Sequence, residues 1–294
     1  MKEGRPSATA EGNAAFRAAE SMRPADKRVC YDPFARYFLG TKYSVILKSR
    51  LLVGIALRYA ERIIPGAPSG VVARTRYIDD YLEACIDGGI RQLVILGAGY
   101  DSRAYRFDKL KGRVKVFEVD HPDTMGAKVE KVKKIFGSLP DGVVYVPIDL
   151  DKSKLSEGLF KSGYDEDLKT LFIWEGTTPY LSAGAVDETL AFVSKNSGEG
   201  SSIIFDYAFR SALDGTLCHE EAKRWRKTFE RKGEPPTFGI EETMVETFLL
   251  ERGFYQVKNI SMESLGSAYF KGPNLGRRVT SLGGIVHATV KPRE

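Results

Sequence analysis

Leu93, Val94, Ile95 and Leu96 run without a break into Gly97, Ala98 and Gly99, and that junction limits the possible folds more than any other feature of the chain. Consecutive apolar residues with β-branched members read as a strand covered on both faces, which occurs chiefly inside parallel sheets. The glycines then permit a tight turn and a close backbone approach to a ligand, since neither carries a Cβ. Asp101 or Ser102 can cap a following helix whose first amides would face the turn. Ser102 stands where a dinucleotide fingerprint has its third glycine. Two readings stay open on this motif alone: a nucleotide-type site, or a strand-to-helix turn that needs glycine only for its geometry.

The chain has 294 residues, enough for one α/β domain with additions or for two small domains. A net charge of +5 is small for that length and does not imply a nucleic-acid partner. The densest basic run, Lys128, Lys131, Lys133 and Lys134, interleaves with Met125, Val129, Val132 and Phe136 at helical spacing, so a solvated helix face is expected there. Cys30, Cys85 and Cys218 are too far apart for a C-x-x-C pair and suggest neither a disulfide framework nor a metal site. The first twenty residues lack the apolar core of a signal peptide, and a reducing cytoplasm is the expected setting. Lys48, Arg50 and Arg58 interrupt the apolar segment 43–59, which argues against a membrane span. That segment reads as an amphipathic helix packed on the core, with a membrane-interface role as the lesser alternative.

Helices are expected over 7–23, in a short piece ending near Gly40, over 42–64 up to Pro65-Gly66-Ala67-Pro68, and over 71–86. Residues 1–88 thus form a helical extension ahead of the first strand, long enough to cover or shape a ligand crevice. Residues 89–294 alternate strands and helices, with strands at 93–96, 114–119, 143–148, 170–174, 201–207, 255–260 and 284–290. The expected fold is α/β, a doubly wound, mostly parallel seven-stranded sheet closed by a hairpin-like last pair. The charged stretch 212–252, broken at Pro235-Pro236, is a helical insert and a candidate lid.

Ligands of open α/β sheets bind beyond the carboxyl ends of the strands, and acids follow three of them here. Asp120 lies about 20 residues past the glycines, where a carboxylate can accept from ribose hydroxyls, whereas Glu118 points to the opposite face. Asp149 could accept from an adenine amine with Leu150 packed on the ring, and Glu175 would sit near the centre of the crevice. Each acid could instead cap a helix. Taken together they suit a cation, such as the sulfonium and ammonium of S-adenosylmethionine, better than a pyrophosphate. Arg74 supplies a counter-charge for a carboxylate, unless it pairs along its own helix, as Arg76 could with Asp79 or Asp80.

Leu96-Gly97-Ala98-Gly99-Tyr100-Asp101-Ser102-Arg103, Phe117-Glu118-Val119-Asp120-His121-Pro122, Asp149-Leu150, and Glu175-Gly176 before Tyr180-Leu181 together resemble the leucine carboxyl methyltransferase family. The likeness is to its prokaryotic branch of S-adenosylmethionine-dependent O-methyltransferases. Thr9-Ala10, Arg17-Ala18-Ala19-Glu20 and Tyr31-Asp32-Pro33-Phe34-Ala35 resemble that family's leader, and the match spans roughly 8–210. The resemblance implies that Arg74 holds the cofactor carboxylate, that Gly97 and Gly99 line methionine and ribose, and that Asp120 binds the ribose. It further assigns the adenine edge to Asp149 with Leu150, and the amino group to Glu175.

Methyl transfer needs alignment and exclusion of water, and a carboxylate acceptor needs no base. For a hydroxyl acceptor, Tyr180, Asp206 and Tyr207 are the candidate proton acceptors, although each taken singly reads more readily as packing or capping at the sheet edge. His121, His219 and His287 read as structural or exposed. The expected activity is O-methylation of a small-molecule or peptide carboxylate or hydroxyl, with oligomeric state open. An NAD-dependent oxidoreductase and a non-catalytic S-adenosylmethionine-binding module are the alternatives.

Overall fold

A computed structural model describes residues 6–216 and 220–292. Cys218 and His219 lie outside the described residues. The chain opens on α1 (Ala8–Ser21), whose cap Ser7 accepts from the Ala10 amide, then α2 (Thr41–Ile46), α3 (Arg50–Ile63) and α4 (Ala67–Asp87). Strand β1 (Gln92–Leu96) follows, then α5 (Arg103–Arg106), β2 (Lys115–Asp120), α6 (Pro122–Phe136), β3 (Val143–Pro147) and α7 (Leu155–Lys161). Next come β4 (Thr170–Trp174), α8 (Ala183–Lys195), β5 (Ser202–Ala208), α9 (Arg210–Asp214), α10 (Glu220–Lys232) and α11 (Val245–Leu250). The chain closes with β6 (Phe254–Ser261), α12 (Met262–Tyr269) and β7 (Gly283–Val290).

The seven strands form one sheet in the order β3-β2-β1-β4-β5-β7-β6, with β7 antiparallel to both of its neighbours and the first five strands parallel. Side-chain alternation divides the sheet between two cores. Leu93, Ile95, Val116, Leu171 and Ile173 face α1 and α4, while Val94, Leu96, Phe117, Phe172 and Trp174 face the side of α7 and α8. Every residue of β1 and β4 is buried, which explains why both read as uninterrupted apolar runs. The strand order reverses between β1 and β4, and a crevice opens beyond their carboxyl ends.

The structure departs from the sequence expectations in several places. The single helix expected over 42–64 is two, broken where Ser49 adopts extended backbone. Leu47 and Val53 are both buried, and six residues along one straight helix would have turned them to different faces. The next helix begins at Ala67 rather than at 71, because Pro68 fits a first helical turn that needs no amide donor. The helix after the glycine turn has only four residues. The last two strands pair as expected, but α12 separates them, so they form no simple hairpin. Lys128 is no solvated-face residue: it is fully buried, 2.8 Å from the equally buried Glu118. Arg76 does pair along its own helix, with Asp80 at 2.8 Å. Among the described residues no helix is long and apolar enough to cross a membrane.

Candidate active site

The turn after β1 shapes the crevice. Gly97 has φ +62°, and a Cβ there would lie 2.1 Å from the Thr177 hydroxyl, so this position excludes any side chain. The Gly99 amide donates to Asp120 Oδ2, and the His121 amide donates to Oδ1 at 2.6 Å. Burial pushes the Asp120 carboxyl up, against the pull of those two amides. Asp149 accepts from the Asp151 amide at 3.1 Å and lies 3.2 Å from Lys152. Gly97, Gly99, Asp120, Asp149, Leu150 and Glu175 line one cavity of about 480 Å³, and Arg74 closes one of its ends.

At that end the charges interlock. Arg74, on α4, donates through Nε to Glu175 Oε1 at 2.9 Å and through Nη1 to Asp206 Oδ2 at 2.5 Å. Its Nη2 is buried and finds no partner among the described residues. Arg103 reaches the other oxygen of Glu175 at 2.7 Å, binds Asp79 at 2.8 Å, and also donates to Asp101. Burial alone would raise the Glu175 carboxyl, but the Arg103 and Arg74 guanidinia hold it well below the usual carboxylate range. Beneath them, Arg17 binds Asp32 at 2.9 Å and the Tyr100 carbonyl at 2.6 Å, and the Ser102 hydroxyl donates to Asp32.

The three candidate proton acceptors are placed differently. Tyr180 lines both this cavity and a second one beyond Arg74, and burial together with Glu234 and Asp206 pushes its phenol well up. Asp206 lines only the second; it accepts from Arg74 and, at 2.6 Å, from the Gly176 amide, and burial pushes it up. Tyr207 faces the second cavity but donates its proton to Asn259 at 2.9 Å, and burial pushes it up to about 12.

Sequence reasoning missed Arg103, the Arg17–Asp32 pair, and the closure of the crevice by Thr9 and Glu234. The Thr9 amide donates to Glu234 at 3.2 Å and the Thr9 hydroxyl donates to the same oxygen. A separation of 225 residues leaves no local signal for that contact.

The residues present fit S-adenosylmethionine. The unpartnered Nη2 of Arg74 suits a carboxylate, and the glycine turn leaves room that a Cβ would fill. They fit a pyrophosphate poorly: the Arg103 amide at the start of α5 is already taken by Asp101 Oδ1 at 2.7 Å, and Glu175 and Asp120 would repel it.

Comparison with known proteins agrees. The model of the leucine carboxyl methyltransferase family matches residues 10–194. A Mycobacterium tuberculosis protein provisionally named an S-adenosyl-L-methionine-dependent methyltransferase is 31% identical over 230 residues, covering 77% of this chain and 70% of its own. A Bacillus subtilis protein with the same provisional name is 28% identical over 199 residues, 68% of this chain and 65% of its own. A crystal structure from Thermobifida fusca, provisionally named a methyltransferase, superposes with a TM-score of 0.62 at 11% identity, over 99% of this chain and 97% of that one. At so low an identity that likeness shows the fold. Neither the oxidoreductase nor the non-catalytic reading is favoured by these matches. A sheet of this order, a crevice built for a cationic nucleoside, and a family match over most of the chain converge: the protein belongs to the leucine carboxyl methyltransferase family and is an S-adenosylmethionine-dependent methyltransferase.

Proposed function

We propose that the chain methylates an oxygen, the carboxylate or hydroxyl of a small molecule or peptide. The observation that carries this reading is Tyr180. Its phenol stands where the two cavities meet and keeps its proton, because burial, Glu234 and Asp206 all oppose ionisation. Such a group can donate one hydrogen bond to a lone pair of the acceptor oxygen and hold it at the neck between the two cavities.

We assign Arg74 Nη2 to the cofactor carboxylate, Glu175 to its amino group, and Gly97 and Gly99 to the methionine and ribose. Asp120 takes the ribose hydroxyls on the lone pairs that its two amide donors leave free, and Asp149 with Leu150 takes the adenine edge. When bound, the cofactor supplies a methyl group activated by positive sulfur. The chain's part is alignment and exclusion of water, to which α1 and the 234–237 loop contribute as a cover joined through Thr9 and Glu234. A carboxylate acceptor needs no base; for a hydroxyl, Asp206 is the group we assign to take the proton. Tyr207, whose hydroxyl donates its hydrogen bond to Asn259, shapes the wall.

Methyl-labelled S-adenosylmethionine and a panel of acids, phenols and amines test this reading. Label should appear in esters, released by alkali, or in ethers, which resist it. Label found only on nitrogen, sulfur or carbon would defeat the oxygen assignment.

A further inference from the structure

Beyond Arg74 and Tyr180 lies a second cavity of about 460 Å³ that shares Thr9, Asn13, Arg74, Gly176 and Tyr180 with the first. Its volume falls in the range that holds a drug-sized molecule. The walls come from α1, α3, α4 and α10, and they are aliphatic and aromatic: Leu57 and Ile63 from α3, Val71 from α4, Trp225 and Phe229 from α10. Among the described lining residues only Lys42, Arg74 and Asp206 carry charge. Lys42 stands exposed near the start of α2, and Arg74 and Asp206 pair with each other at the neck. The paired charges are therefore concentrated where the two cavities meet, and the rest of the lining is mostly apolar, with the hydroxyls of a few Tyr and Thr residues and the exposed Lys42 at its edges.

Resting on the oxygen-methylation reading above, we infer that this second cavity is the acceptor site and that it takes a lipophilic acid or phenol. Such a molecule is an aliphatic or aryl body with a single terminal oxygen. The body fills the apolar space while the oxygen meets the Tyr180 phenol at the neck. A peptide tail suits the walls poorly, because each backbone amide it buried would need a partner that aliphatic walls cannot give. In the reaction the oxygen's lone pair forms the new bond to the methyl carbon, and the pair of the broken carbon–sulfur bond stays on sulfur. A carboxylate has no proton to lose, whereas a phenol passes its proton to Asp206.

The test uses the cavity's own reporter. The chain has two tryptophans, and Trp174 is fully buried in the sheet core, so a ligand in the second cavity is sensed by Trp225. Laurate, para-nonylphenol, lactate and a leucine-terminated tetrapeptide are titrated into the complex with S-adenosylhomocysteine, whose own binding is followed by calorimetry. Laurate and nonylphenol should give a saturable fluorescence change that Trp225→Phe abolishes, and lactate and the peptide should give none. Ala60→Phe, which fills the cavity from α3, should weaken laurate roughly tenfold or more while S-adenosylhomocysteine binds as before; Ala56→Phe serves as the second filling variant. No response to the lipophilic ligands, an equal response to lactate or peptide, or unchanged laurate affinity in both filled variants would overturn the assignment. Failure of S-adenosylhomocysteine to bind the unaltered protein would instead defeat the cofactor assignments, and the fluorescence titration is read in either case.

Discussion

Two groups of buried charge in this fold behave differently. Under the sheet, Lys128 and Glu118 pair at 2.8 Å with no exposure, and the Tyr105 hydroxyl donates to the same carboxylate at 2.8 Å. Lys128 also reaches the Ala98 carbonyl at 3.4 Å, so this group supports the glycine turn from below, and it lines neither of the two cavities described above. At the crevice, Arg74, Arg103, Glu175 and Asp206 are paired as well, but Arg74 Nη2 is a buried donor with neither a hydrogen bond nor an ion-pair contact among the described residues, whereas Glu118 Oε1, which also lacks a hydrogen bond, still lies 2.8 Å from the Lys128 ammonium. Burial of charge is common to both and distinguishes neither. The second group differs in that Arg74 and Glu175 line a cavity and one buried donor, Arg74 Nη2, is left without a partner among the described residues, which is the basis of the cofactor assignment proposed above.

Removing one member of the closed group should have the largest effect on folding. Lys128→Met leaves Glu118 buried without its cation and should cost about 3 to 5 kcal/mol of stability, measured by urea unfolding. Adding Glu118→Leu should recover most of that loss; if the double variant is as unstable as the single, the pair was not the cause. Glu175→Gln should cost less, about 2 to 3 kcal/mol, because Asp206 and Asp101 still compensate the guanidinia. Its sign with pH follows from the depressed carboxyl. The stabilisation from Glu175 is fully present above the ordinary value of 4.5 and is lost as pH falls through the lower folded value, so wild type and variant should converge in acid.

Asp120→Ala should leave folding nearly unchanged and weaken S-adenosylmethionine by about 1 to 3 kcal/mol, by calorimetry. Unaltered affinity would reduce Asp120 to an anchor for the Gly99 and His121 amides. The smallest effect belongs far from both groups. His287, its ring 4.3 Å from that of Tyr81 and tilted against it, is held down to about 4 by burial and Lys258, so the unfolded chain binds its proton first as pH drops. Stability should therefore fall between pH 6.5 and 4, modestly because the ring is partly solvated, and His287→Phe should flatten that part of the profile.

What could be read from the sequence was whatever backbone geometry writes locally. The strands stood out because β1 and β4 are covered on both faces, and the positions of Gly97, Gly99, Asp120 and Glu175 followed from where strands end. Long-range pairing left no such trace. Lys128 looked like part of a basic helix face because its partner lies on β2, and Arg103 looked like an ordinary residue of a helix start although it joins three carboxylates. The break at Ser49 was hidden for a related reason: it depends on Leu47 and Val53 both turning inward, and only the packed core decides that.

The central claim, that the open donor of Arg74 receives the cofactor's carboxylate, is tested most directly by a binding cycle with and without that carboxylate. Calorimetry would compare S-adenosylhomocysteine with 5′-methylthioadenosine, which lacks the amino-acid end, on the unaltered protein and on Arg74→Ala. The account predicts that the substitution costs S-adenosylhomocysteine about 2 to 3 kcal/mol and leaves 5′-methylthioadenosine nearly untouched. An equal loss for both ligands would contradict it.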